Sequence, residues 1–125
     1  MNEIFLYVAA GILAVWGVAH LVYTRNVVSG FGPIGRDNLR VLTMEWINEG
    51  ATLVFIAALV ATVALVDATS DVARAVLWVT VVMLNVMSAV SLFTGFRVDF
   101  IAYRLCPVIF TGASLLIVLA LLTGG

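Results

Sequence analysis

Long apolar runs alternate with short polar breaks along this chain, and the alternation predicts its elements. Each run holds about twenty or more residues, enough to cross a ~30 Å hydrocarbon core at about 1.5 Å per residue. The pattern predicts helices over about 2–24, 38–66, 72–96 and 101–122. The expected fold is all-α: a single antiparallel four-helix transmembrane bundle spanning 1–125. The first run is longer than a signal-peptide core and is preceded by Glu3 instead of a basic region, so it reads as a retained helix.

The breaks carry their own signals. The segment 26–36 contains Ser29-Gly30-Phe31-Gly32-Pro33-Ile34-Gly35, in which three glycines and a proline exclude regular helix. Its apolar character predicts that it lies at an interface or folds back over the helix ends. Asp37 is the expected N-cap of helix 2. Residues 66–71 form a short polar turn, and Arg97 and Asp99 mark the third connection.

Composition supports lipid as the solvent. Apolar residues make up 64% and charged residues 10%, against roughly half and a quarter in a soluble globule. The net charge of −1 excludes a nucleic-acid partner, which needs a dense basic face. One cysteine, Cys106, excludes an intrachain disulfide and any multi-cysteine metal site. Beside Pro107 it reads most simply as packing.

Charge then orients the chain. Arg25, Arg36, Arg40, Arg97 and Arg104 lie at loops 1 and 3, and only Arg74 lies at the opposite end. The positive-inside rule puts loops 1 and 3 in the cytoplasm and both termini outside an inner (plasma) membrane.

The polar residues within the runs gather at the same end. Glu45 and Glu49 lie one helical turn apart at the entrance to helix 2, with Trp46 and Asn48 between them, and Glu49 is the deeper. His20, Trp16 and Tyr23 share one side of helix 1. A charged side chain at mid-membrane costs roughly 2.5–3.5 kcal/mol, so Glu49 needs a partner or a purpose. One reading is an ion pair with Arg97 or Arg104 that fixes the bundle; the other is a protonatable or ligand-binding carboxyl. His20 hydrogen-bonds Glu49 or Asn85 on the simpler reading and handles a proton on the sharper one. Asn85 is expected to hydrogen-bond between helices. The Glu-x-x-His pairs of di-iron bundles are missing, so neither metal nor haem is expected. No hydrolase-like nucleophile and base are visible.

Two segments, GILAVWGVAHL at 11–21 and NEGATLVFIAAL at 48–59, resemble the DoxX-like group of small four-helix membrane proteins. That resemblance implies the four-helix architecture and an association with membrane oxidoreductase complexes, including quinone-linked sulfur oxidation. Arg40, Asn48 and Glu49 also match in residue type, though not in spacing, the membrane-associated eicosanoid and glutathione metabolism proteins.

Together these features predict binding of a lipophilic or quinone-like small molecule in a pocket of the cytoplasmic half. Glu49, His20, Glu45, Asn85, Trp16, Trp46 and Tyr23 are the expected contacts, and Arg97, Arg104 and Asp99 the charge partners. The lipid bilayer, and either further copies of the chain or the subunits of a membrane complex, are the expected partners. A proton-coupled transporter or channel subunit, and a structural subunit without chemistry of its own, are the alternatives.

Overall fold

The computed structural model describes residues 1–123. They form four helices, α1 (Glu3–Ser29), α2 (Arg36–Val66), α3 (Asp71–Thr94) and α4 (Ile101–Leu122). All four are long and apolar enough to cross a membrane, and the described residues contain no strand. The chain is an all-α four-helix bundle of multi-pass membrane type.

Local chemistry sets most boundaries. The Asn2 side chain accepts from the Ile4 amide at 3.1 Å and caps α1, with Glu3 in the first turn. Ser70 does the same for α3, accepting from the Ala73 amide at 3.2 Å. Both follow the preference of short polar side chains for otherwise unsatisfied amides at a helix start. Phe100 precedes α4, which ends at Leu122 as the hydropathy pattern predicts.

Two boundaries depart from expectation. Helix α1 continues to Ser29 instead of stopping near residue 24. Nothing in Arg25–Ser29 breaks a helix, and Val27 and Val28 are buried, so packing extends the helix through a polar stretch. The first connection shrinks to residues 30–35, where Gly32 turns the chain at φ +76°, a left-handed conformation that suits glycine. Asp37 is not the N-cap of α2. Gly35 holds that position without a side-chain bond, and Asp37 lies in the first turn, facing Arg40 at 3.8 Å on the exposed surface.

Packing order decides where a site can form. Helix α1 lies against both α2 and α4, and α3 lies against α4, while α2 and α3 scarcely touch. The helices therefore run α2–α1–α4–α3 around an arc that is open on one side. At one end the Asn2 amide donates to the Ala120 carbonyl at 3.3 Å. The core contains Leu6, Leu13, Leu53, Leu77, Phe110 and Ile117, all fully buried.

Helices α1 and α2 approach one another closely at Gly17 and Gly50. A Cβ on Gly17 would stand 2.9 Å from the Gly50 carbonyl oxygen, and one on Gly50 would stand 2.9 Å from His20 Cβ. Small residues let two backbones meet where lipid supplies no hydrophobic drive for association. This contact puts His20 and Glu49, which flank the glycine pair, opposite one another.

Candidate functional site

Among the described residues the buried polar side chains are His20, Thr24, Thr80 and Ser114. Three have their partners. Thr24 Oγ1 donates to the His20 carbonyl at 2.8 Å, Thr80 Oγ1 donates to the Val76 carbonyl at 2.9 Å, and Ser114 Oγ accepts from Asn85 at 2.7 Å. Of these four, His20 keeps an unspent ring nitrogen, Nε2, with no hydrogen-bond partner. Buried polar atoms in folded proteins are seldom left so.

The ring is held firmly. His20 Nδ1 lies 2.9 Å from the Trp16 carbonyl oxygen. A carbonyl only accepts, so Nδ1 carries a hydrogen, and in the neutral ring Nε2 then presents its lone pair. Trp46 stacks on the imidazole with centroids 4.5 Å apart and planes inclined by 22°. Its indole N–H donates to the His20 carbonyl at 2.8 Å. Trp16 meets the ring edge-on at 5.6 Å.

Nε2 faces Glu49 Oε1 at 3.7 Å. Two lone-pair-bearing atoms so placed repel unless a proton or a cation lies between them. His20 is 3% exposed, whereas the Glu49 side chain keeps 30% of its surface open, so the carboxyl is the accessible half of the pair.

That open side is the gap between α2 and α3. Two adjoining recesses of about 440 and 530 Å³ share Phe31, Leu42, Glu49, Met83, Met87 and Tyr103. The larger reaches Cys106 and Phe110 at the base of the cleft. Tyr103 packs edge-on against Trp46 at 5.3 Å and against Phe31 at 6.4 Å, so the first loop folds back over the cleft mouth.

The other residues singled out from the sequence divide. Glu45 is exposed and lines the outer recess with Asn48. Tyr23 is exposed and lines, with Trp16, His20, Trp46 and Phe100, a second recess that Glu49 does not reach. Asn85 does not reach His20: it donates to Ser114 Oγ and to the Val81 carbonyl, each at 2.7 Å. With Ser88, 2.7 Å from Thr111 Oγ1, it ties α3 to α4.

The expected ion pair of Glu49 with Arg97 or Arg104 is not formed. Arg104 Nη2 donates to Asp99 Oδ1 at 2.8 Å, and its Nε donates to the Val98 carbonyl at 3.3 Å. Arg97 is exposed and takes part in none of the ion pairs among the described residues. Both arginines sit in or just after the short 95–100 connection, where a nearby aspartate satisfies Arg104 in water more cheaply than a carboxylate inside the bundle could.

Sequence reasoning placed neither Tyr103 nor Phe31 at the site, read Cys106 as packing and did not pair Gly17 with Gly50. Cys106 and Tyr103 stand one turn apart on α4, but nothing in the chain's pattern ties that turn to His20 or Glu49. The chain matches no family model, no curated protein and no solved structure.

Proposed function

We propose that this protein binds a lipophilic, quinone-like small molecule in the α2–α3 cleft, its polar head against Glu49 and His20 and its apolar body along Met83, Met87 and Phe110. One observation carries this reading: the bundle is open where Glu49, backed by the buried and unspent His20 Nε2, meets the cleft. A cleft of this volume falls within the range of about 300–1,000 Å³ typical of small-molecule sites, and its wall is apolar with few convergent polar groups, as such sites require. A molecule dissolved in lipid could enter sideways between α2 and α3 without crossing an aqueous phase. In this reading loops 1 and 3 face the cytoplasm from an inner membrane, and a redox complex is the setting, in line with the DoxX-like resemblance.

A channel fits less well, because the bundle half away from the five-arginine end is filled by Leu6, Leu13, Leu53, Val60 and Ile117, all fully buried. The test is quenching of tryptophan fluorescence by a short-chain quinone titrated into the detergent-solubilised protein, in a Trp78→Phe background that leaves Trp16 and Trp46. Saturable quenching is expected. Glu49→Gln should weaken it by about tenfold, equivalent to about 1.4 kcal/mol and within the range of about 0.5–1.5 kcal/mol for a hydrogen bond. Linear quenching that is equal in both proteins sinks the reading.

A further inference from the structure

Three donor atoms from three different helices meet behind the cleft. His20 Nε2 on α1, a carboxylate oxygen of Glu49 on α2 and Cys106 Sγ on α4 all lie within 4.8 Å of one another. We propose that they form a binding site for a divalent, borderline-soft cation, zinc above all, with its fourth position open to the α2–α3 cleft.

Geometry is the first support. Metal–ligand bonds of about 2.0–2.3 Å put the ligand atoms of a tetrahedral zinc roughly 3.3–3.8 Å apart. His20 Nε2 and Glu49 Oε1 already stand at 3.7 Å, and the remaining contraction is within reach of χ rotations at Glu49 and Cys106. The imidazole is prepared for this role. It is almost wholly buried, its Nε2 has no partner and points at the carboxylate, and its Nδ1–H is committed to the Trp16 carbonyl. A metal-bound histidine is ordinarily oriented by just such a hydrogen bond from its other nitrogen. The Trp16 indole N–H is also buried without an acceptor in bonding geometry and lies beside Cys106, placed to donate to a thiolate.

Charge is the second support. On coordination the thiol gives up its proton to the buffer, Glu49 binds as carboxylate and His20 binds neutral through its lone pair. One thiolate and one carboxylate cancel the charge of a divalent ion, so the complex is neutral among apolar helices, where a net charge is costly. A monovalent cation would leave a net negative charge there. Mixed nitrogen, oxygen and sulfur donors suit zinc better than they suit magnesium or calcium, which take oxygen. Three protein ligands with one open position are the pattern of reactive rather than structural zinc sites. Glu49 and Cys106 both line the larger recess, so the open position faces the cleft.

The proposal shares residues with the lipophile reading, and the two can fail separately. Metal-stripped protein is titrated with Co²⁺ and the spectrum followed. One equivalent per chain should bind, with a thiolate-to-cobalt charge-transfer band and tetrahedral d–d bands, and Zn²⁺ should displace it. Cys106→Ser should abolish the charge-transfer band, and His20→Gln and Glu49→Gln should each weaken binding by at least about tenfold. X-ray absorption of the zinc-loaded wild type should show one sulfur at about 2.3 Å and nitrogen or oxygen at about 2.0 Å, a readout that needs no variant to fold. Cobalt bound without a sulfur ligand, or no stoichiometric binding, overturns the site. If quinone quenching stays saturable in the stripped protein while cobalt gives no thiolate band, the metal proposal falls and the lipophile reading stands.

Discussion

Trp46 shows how much one side chain can organise. It caps the His20 carbonyl, stacks on the imidazole and receives the edge of Tyr103. Trp46→Phe keeps most of the stacking area and loses the N–H, while the carbonyl still accepts from Thr24. The loss should therefore be that of one buried hydrogen bond without an orphaned acceptor, about 1 kcal/mol, read by unfolding in detergent. Asp67 offers a test outside the helices. It accepts from the Thr69 amide and hydroxyl, each at 2.8 Å, and from the Ser70 amide at 3.2 Å. These bonds, the Thr69 amide foremost, hold its carboxyl below the ordinary carboxylate value. A group whose folded pKa is lowered contributes stability above its unfolded value, about 4, and loses it as pH falls through the folded value. Acid unfolding below about pH 4 should thus have an Asp67-dependent component that Asp67→Asn removes, visible as a flatter stability-versus-pH curve.

Between helices, the glycines are unequal although they look alike in the sequence. Alanine in place of glycine inside a helix gains about 0.8–1 kcal/mol of propensity. At Gly17 the new Cβ would meet the Gly50 carbonyl oxygen and the Val54 amide nitrogen, both at 2.9 Å. Backbone cannot step aside as a side chain can, and such overpacking costs about 1–3 kcal/mol. The clash should win, so Gly17→Ala should be destabilising and should loosen the His20–Glu49 approach. Gly112 and Gly11 have nothing within 4 Å of the added Cβ. There the propensity term stands alone, and Gly112→Ala should be neutral or stabilising by up to about 1 kcal/mol. Thermal unfolding of the two variants in one detergent compares them directly. A Gly17→Ala protein as stable as Gly112→Ala would refute the close-packing argument.

At the scale of the molecule, the open arc α2–α1–α4–α3 leaves two apolar helices facing each other across a gap. Proposed orientation is testable at this scale. In a Cys106→Ser background, Ser29→Cys, at the last residue of α1, marks the side of the first connection and Thr69→Cys that of the second. A membrane-impermeant maleimide added to intact cells should label the Thr69→Cys protein strongly and the Ser29→Cys protein only after lysis. The reverse pattern would invert the topology. The contrast rests on five arginines at one end of the bundle and one at the other, a bias large enough to orient short loops.

Helix number, apolar length and the gathering of Glu49 and His20 at one end were legible because hydropathy and helical period are local properties. Loop boundaries were legible to within a turn, except where burial of Val27 and Val28 carried α1 onward. The partner of Glu49 was legible only as a choice among Arg97, Arg104 and His20. Arg97 and Arg104 were the cations nearest in depth, but a loop aspartate satisfies Arg104, and it is the His20 imidazole that faces the carboxylate, at 3.7 Å. Cys106 read as inert filler because its significance lies in what two other helices bring beside it. The sequence by itself determined four apolar helices with polar groups at one end, since lipid leaves a chain of this hydropathy few alternatives. Only the tertiary structure decided that α2 and α3 stand apart and that His20, Glu49 and Cys106 converge. Those outcomes depend on close approach at Gly17 and Gly50 and on packing order, which no linear period encodes.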